Sequence, residues 1–144
     1  MLIAEVLRTK GSFVATVTPD ATVADVLGEL AQHGVGALVV SSDGAHIEGI
    51  VSERDVVRHL HRVGVGLLEE PVGTIMTSEV RTCSPNDNVD DLMVGMTEHR
   101  IRHVPVVRGD ALVGIVSIGD VVKSRIGDLE GERNELVAYI TRGG

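Results

Sequence analysis

Gly49-Ile50-Val51-Ser52-Glu53-Arg54-Asp55-Val56-Val57 returns 65 residues later as Gly114-Ile115-Val116-Ser117-Ile118-Gly119-Asp120-Val121-Val122. Each copy reads as a short apolar strand that passes into a helix at the serine. Upstream, the repetition continues. Pro19-Asp20-Ala21-Thr22-Val23 matches Pro85-Asn86-Asp87-Asn88-Val89 at an offset of 66. Val23, Val26, Leu27 and Leu30 form an i, i+3, i+4, i+7 stripe, repeated by Val89, Leu92, Met93 and Met96. Thr22 with Asp25, and Asn88 with Asp91, resemble capping boxes at the two helix starts. Between stripe and echo, each half carries two β-rich runs. Ala37–Val40 and Glu48–Val51 flank a turn at Ser41–Gly44, and Val104–Val107 and Leu112–Val116 flank one at Arg108–Asp110. With first strands at Phe13–Val17 and Val80–Cys83, each half becomes β-α-β-β-α. Such a half leaves apolar faces bare, so the two are expected to pack together about a pseudo-twofold axis. Residues 1–66 form repeat 1 with its N-terminal segment, and 67–127 form the linker and repeat 2. Residues 128–144 form a final helix and tail, lying back on the body or on a partner.

The composition narrows the function. A chain of 144 residues can bury a core without a staple, and its single cysteine, Cys83, rules out an intrachain disulfide. Thirteen Lys+Arg against 21 Asp+Glu give a net charge of −8, unsuited to binding nucleic acid through phosphates. Phe13 and Tyr139 are the only aromatics, so base-stacking platforms are missing. Mean hydropathy is +0.20, yet the apolar runs fall far short of the roughly 20 residues that cross a bilayer. The start has no basic region before an apolar one, so neither signal peptide nor membrane anchor is expected, and the protein is expected in the cytoplasm. The oily composition is expected to be core or subunit interface, and a homodimer built on helices is expected. Its candidate stripes are Val56, Val57, Leu60 and Val63 on one helix and Val121, Val122 and Ile126 on its counterpart.

The two copies of Gly-Ile-Val-Ser-x-x-Asp, with Arg100-Ile101-Arg102-His103-Val104-Pro105-Val106-Val107 and Thr74-Ile75-Met76-Thr77, resemble a tandem pair of cystathionine-β-synthase (CBS) domains, the Bateman module. Nearly the whole chain is covered, and the likeness is greatest to stand-alone bacterial CBS pairs. The resemblance implies an α/β (α+β) fold of two β-α-β-β-α repeats about a pseudo-twofold axis plus a C-terminal helix, disk-like dimers, and two clefts for adenosine-containing ligands. AMP, ADP, ATP, NAD(H) and S-adenosylmethionine are the candidates, with no cofactor required.

Ser52-x-x-Asp55 and Ser117-x-x-Asp120 are capping boxes by spacing alone. The same geometry offers a helix N-terminus to a phosphate and a carboxylate to a ribose diol, and the resemblance gives this motif the ribose contact. It also implies that each cleft joins one half's motif to early strands of the other. Ser52, Arg54 and Asp55 would then meet Ser78, Val80, Arg102 and His103. Ser117 and Asp120 would meet Ser12, Val14, Gly36 and Ala37. Arg100, Arg102 and Arg108 with His99 and His103 read either as a charged strand edge or as a cationic arm for phosphates. The second cleft has Val35-Gly36-Ala37 in place of Ile101-Arg102-His103 and lacks those cations.

Other chemistries find less support. His99 and His103 are four apart, but the helix is expected to end between them, which breaks the geometry of a zinc pair. Cys83 reads as a small packed residue, and Pro105 as a strand start or edge. No general base, nucleophile or phosphate-loop motif is seen, and with the resemblance the chain is expected to be a non-enzymatic regulatory module that acts on a partner protein through ligand-dependent dimer shape. The alternative is a structural dimer or adaptor with vestigial clefts.

Overall fold

Every apolar stripe named above forms its helix. The computed structural model describes residues 1–143. Its elements are α1 (Ile3–Lys10), β1 (Thr16–Val17), α2 (Val23–His33), β2 (Ala37–Val40), β3 (Gly49–Ser52), α3 (Glu53–Val63), α4 (Val89–His99), β4 (His103–Arg108), β5 (Ala111–Ser117) and α5 (Ile118–Gly143). Two 3-10 turns, Val65–Glu69 and Val72–Thr74, join the halves. The Thr22–Asp25 capping box opens α2 as expected, whereas Asn88 accepts from Asp90 N–H, one residue earlier than its expected Asp91 partner.

The fold is mixed α+β, with sheets β1-β2-β3 and β4-β5. Both hairpins are antiparallel, and β1 lies parallel to β2. Two apolar cores result. One gathers Val23, Val26, Leu38, Val40, Val51 and Val56, and the other Val89, Met96, Val104, Val106, Val116 and Val121. Among the described residues, no helix is long and apolar enough to cross a membrane.

The segment leading into each repeat packs on the other repeat. Ile3 N–H and Ala4 N–H donate to the carbonyls of Asp87 and Pro85, and Val89 N–H donates to Met1. In the mirror arrangement, Val72 N–H and Gly73 N–H donate to Ala21 and Pro19, and Val23 N–H donates to Glu70. Ile3 and Val6 therefore lie in the second core, and Val72 and Ile75 in the first. The N-terminal segment, grouped with repeat 1 by chain order, is in space part of repeat 2. Its apolar face covers the sheet that the second half cannot cover itself.

Three further differences have local causes. The first strand of repeat 1 narrows to Thr16–Val17, and that of repeat 2 to a single bridge from Cys83 to Val106. In repeat 1, Val39 N–H donates to Ala15. Pro105 holds the corresponding place within β4, buried and paired with Ile115, and has no N–H to give. Its carbonyl still accepts from Cys83 N–H at 3.0 Å. Cys83 is packed in the second core, and burial, helped by Asp87, pushes its thiol pKa up to about 12. Finally, the expected tail helix is continuous with the last helix of repeat 2. Gly127 and Gly131 do not break it, and every residue from Leu129 to Arg142 is exposed, so it extends from the body and does not lie back on it.

Gly49 and Gly114 hold equivalent places in the two hairpins, and each faces a lead-in segment closely. A Cβ at Gly49 would stand 2.5 Å from Met76 Sδ and 3.0 Å from Thr77 O, and one at Gly114 would stand 2.7 Å from a Leu7 methyl. Gly49→Val is expected to destabilise the protein by about 1–3 kcal/mol through overpacking. Gly28→Ala, in open space on α2, is expected to gain roughly 0.5–1 kcal/mol. Urea unfolding of both variants checks the contrast.

Candidate functional site

Charged side chains from both repeats gather where the two repeats meet. Ser52 ends β3 and caps α3. Its Oγ accepts from Asp55 N–H at 3.3 Å, while Ser52 N–H and Oγ–H donate to Asp55 Oδ2 at 2.8 and 3.0 Å. Glu53 N–H, the next amide of this helix start, donates to Gly36 O. On the facing side, Thr77 of the lead-in segment exchanges two 2.9 Å backbone hydrogen bonds with Ile50. That pairing carries the chain through Glu79, Val80 and Arg81 past the start of α3. The turn from α4 into β4 closes the space with Arg100, Ile101, Arg102 and His103. A cavity of about 460 Å³ lies between these walls.

Ser52, Arg54, Asp55, Val80, Arg102 and His103 all line this cavity, as the cross-repeat reading expects. Ser78 does not, although its neighbours Thr77 and Glu79 do. Gly36 and Ala37, expected in the second cleft, line the first. The reason is the approach of the two strand entrances: a Cβ at Gly36 would stand 3.2 Å from His103 Cε1. Ser12 lies on a separate groove with Arg8, Gly11 and Arg108, and Val14 is half-buried outside both cavities. Ser117 and Asp120 repeat the capping geometry at the start of α5, with Ser117 N–H on Asp120 Oδ2 at 2.8 Å and Asp120 N–H on Ser117 Oγ at 3.2 Å. The side chain that meets Asp120 is Lys10, from the end of α1.

Several lining residues carried no clear signal in the sequence. Glu53, Arg58, Thr77, Glu79 and Arg81 come to the cavity through the exchanged lead-in segment and the turn of α3. Lys10 is likewise a single residue whose relevance depends on where α1 docks. In all, Arg54, Arg58, Arg81, Arg100 and Arg102 face the cavity against Glu53, Asp55 and Glu79, so an acidic chain presents a cationic surface here. Arg100 ends α4 with a left-handed backbone, φ 54°, where its counterpart in repeat 1 is Gly34, φ 61°. A side chain in that conformation costs on the order of 1 kcal/mol, so the position gives up stability to bring a guanidinium to the cavity rim.

The CBS domain family matches residues 4–62 and 72–127. The chain belongs to the CBS-domain family. The CBS pair is 38% identical to the mitochondrial CBS domain-containing protein CBSX3 of Arabidopsis thaliana, over 98% of this chain and 72% of that protein. The crystal structure of the CBS-domain containing protein ATU1752 from Agrobacterium tumefaciens superposes with a TM-score of 0.84 at 42% identity, covering 87% of this chain and 99% of that one. The CBS domain protein PAE2072 from Pyrobaculum aerophilum, solved in complex with AMP, superposes with a TM-score of 0.74 at 32% identity, over 83% and 89% of the two chains.

His103 stands between the two capping motifs. Burial lowers its pKa from the usual histidine value, Lys10 and Arg102 lower it further, and Glu53 and Asp120 oppose them. A histidine that binds protons less readily when folded contributes stability at pH values above its unfolded pKa. That contribution is lost as pH falls through the folded value. Stability is therefore expected to decline as pH drops from about 6.5, and His103→Gln is expected to make the decline shallower. Urea midpoints measured across that range compare the two proteins, and identical slopes would contradict the assignment.

Proposed function

We propose that this CBS pair is a regulatory module that takes an adenosine-containing ligand in the cavity between Asp55 and Arg102. The observation that carries the reading is the convergence of an exposed-end capping carboxylate and five arginines on one cavity of a strongly acidic chain. Asp55 suits a ribose diol, because an ionised carboxylate accepts two hydrogen bonds at once. Arg102, Arg100 and the start of α3 suit phosphate oxygens. Val80, Ile101, Ile50 and Ala37 supply apolar surface for a base. The AMP bound by the similar Pyrobaculum protein supports the same class of ligand. The reading assigns no catalytic residue, and it requires no cofactor.

The module acts on a partner protein as a homodimer. Of the helical stripes, Val56 and Val121 face the cores, but Val57, Leu60, Val63, Val122 and Ile126 are exposed, at 65% for Val57 and 50% for Ile126. Leu129, Leu136, Val137 and Ile140 extend an exposed apolar surface along α5. Ligand binding alters a partner only if it favours one dimer shape over another. One observation favours the adaptor alternative in the second half alone: Asp120 is already paired within the chain.

Calorimetric titration tests the site. Asp55→Ala is expected to cost about 1–3 kcal/mol of AMP affinity. Arg102→Ala is expected to weaken ATP more than AMP and to leave adenosine nearly unchanged, because a guanidinium reads phosphate oxygens. Equal losses for adenosine and ATP would assign Arg102 to pocket shape instead.

Light scattering tests the assembly. At micromolar concentration the mass is expected to be twice 15.3 kDa, and Val57→Glu together with Leu60→Glu is expected to halve it. A wild-type monomer would overturn the dimer.

A further inference from the structure

The two Ser-x-x-Asp helix starts share a frame and differ in the donor that the lead-in segment brings beside them. Ile50 and Ile115 hold equivalent hairpin positions, each opposite a residue of the neighbouring strand. At Ile50 the outward-facing carbonyl accepts from Thr77 N–H, because the lead-in segment there is extended. At Ile115 the lead-in segment is the helix α1, whose backbone amides are committed to the helix. Lys10 Nζ supplies the missing donor at 2.7 Å, and the same ammonium sits on Asp120 Oδ2 at 2.5 Å. Lys10 is the last residue of α1, followed by Gly11, whose N–H donates to Leu7 O. Leu7 itself lies against Gly114, and Ile3 N–H and Ala4 N–H fasten the helix start to Asp87 and Pro85. The ammonium is thus held by a docked helix, with the Lys10 and Asp120 side chains only 29% and 24% exposed.

We infer that Lys10 sets the specificity of the second cleft: its ammonium neutralises the carboxylate that a ribose diol needs, so each chain takes one adenosine ligand, in the first cleft. This rests on the reading of Asp55 above. Asp55 has no such competitor. Among the described residues its carboxylate is engaged only by Ser52. The contact at Asp120 is also reflected in its acidity: burial alone would raise its pKa, but the Lys10 and Ser117 hydrogen bonds outweigh it and hold the carboxyl below its ordinary value. Both carboxylates keep Oδ1 without a partner among the described residues, but Asp120 carries an ammonium on Oδ2 where Asp55 carries only the neutral Ser52 donors, so a diol meets a charge-neutralised acceptor in the second cleft and a carboxylate without an ion pair in the first.

Calorimetric titration of the full chain with AMP tests this through stoichiometry. The wild type is expected to bind one AMP per chain. Lys10→Met, which keeps the apolar stem, and Lys10→Gln, which keeps a donor for Ile115 O, are each expected to bind two, with thermal melts to show that they fold. Lys10→Met combined with Asp55→Ala is expected to keep one site of nearly undiminished affinity, in the second cleft. Two sites in the wild type, or an unchanged single site in both folded Lys10 variants, would overturn the inference and leave the first-cleft reading standing. No binding by the wild type with one site in the variants would sustain the role of Lys10 and overturn the first-cleft reading. No binding by any of them overturns both.

Discussion

The exchange of lead-in segments is the constraint on which the rest of this structure depends. A sheet of two or three short strands with two helices leaves one apolar face without cover. Here Ile3 and Val6 come from ahead of repeat 1 to complete the second core, while Val72 and Ile75 come from ahead of repeat 2 to complete the first. Six backbone hydrogen bonds in two matching sets of three fix the exchange. Neither half then has an intact core alone, so the pair is the smallest unit that buries its apolar residues. The same exchange builds the cavity, because the chain that leaves Ile75 must run past the start of α3 to reach its own repeat.

What the sequence made legible follows from this. Features local to one repeat could be read directly: the stripes of α2 and α4, the hairpins, and the Ser-x-x-Asp helix starts each depend on residues a few positions apart. Features made by docking could not. The helix Ile3–Lys10 has no counterpart helix in repeat 2, where Val72–Thr74 forms only a 3-10 turn, so comparison of the repeats concealed it. Glu79 and Arg81 look unremarkable along the chain and reach the cavity only through the exchange. Pro105 was readable as an obstacle to pairing. Its consequence appears only beside Val39, whose N–H makes the bond to the first strand that Pro105 cannot make.

The repeats have diverged by placing different side chains on one backbone plan. At the end of the first helix of each repeat, a left-handed residue is Gly34 in one half and Arg100 in the other. Two residues beyond Gly34, Gly36, the counterpart of Arg102, lies against His103, the counterpart of Ala37. The small residues Gly36 and Ala37 leave room for Arg102 and His103, so the bulk and the cations of the α4–β4 turn come to a single cavity.

The capping box at α3 suits this cavity for a ligand at little cost to the fold. Both bonds from Ser52 go to Asp55 Oδ2. The other carboxylate oxygen has no partner among the described residues, so an incoming hydroxyl need not break the cap. Had the cap used both oxygens, binding would compete with helix capping, a term typically near 1 kcal/mol, and each binding event would loosen the start of α3. Leaving the cap intact keeps that helix start rigid in the empty and occupied protein alike. In the proposed reading, changes on binding would fall on the elements opposite it: the Thr77–Arg81 segment and the Arg100–His103 turn. The first continues from the exchanged lead-in, and the second leads through β4 and β5 into α5 with its exposed apolar surface. A ligand held at α3, as proposed, would pull on both segments that tie one half to the other, which is where a shift in shape must originate if it is to reach a second chain.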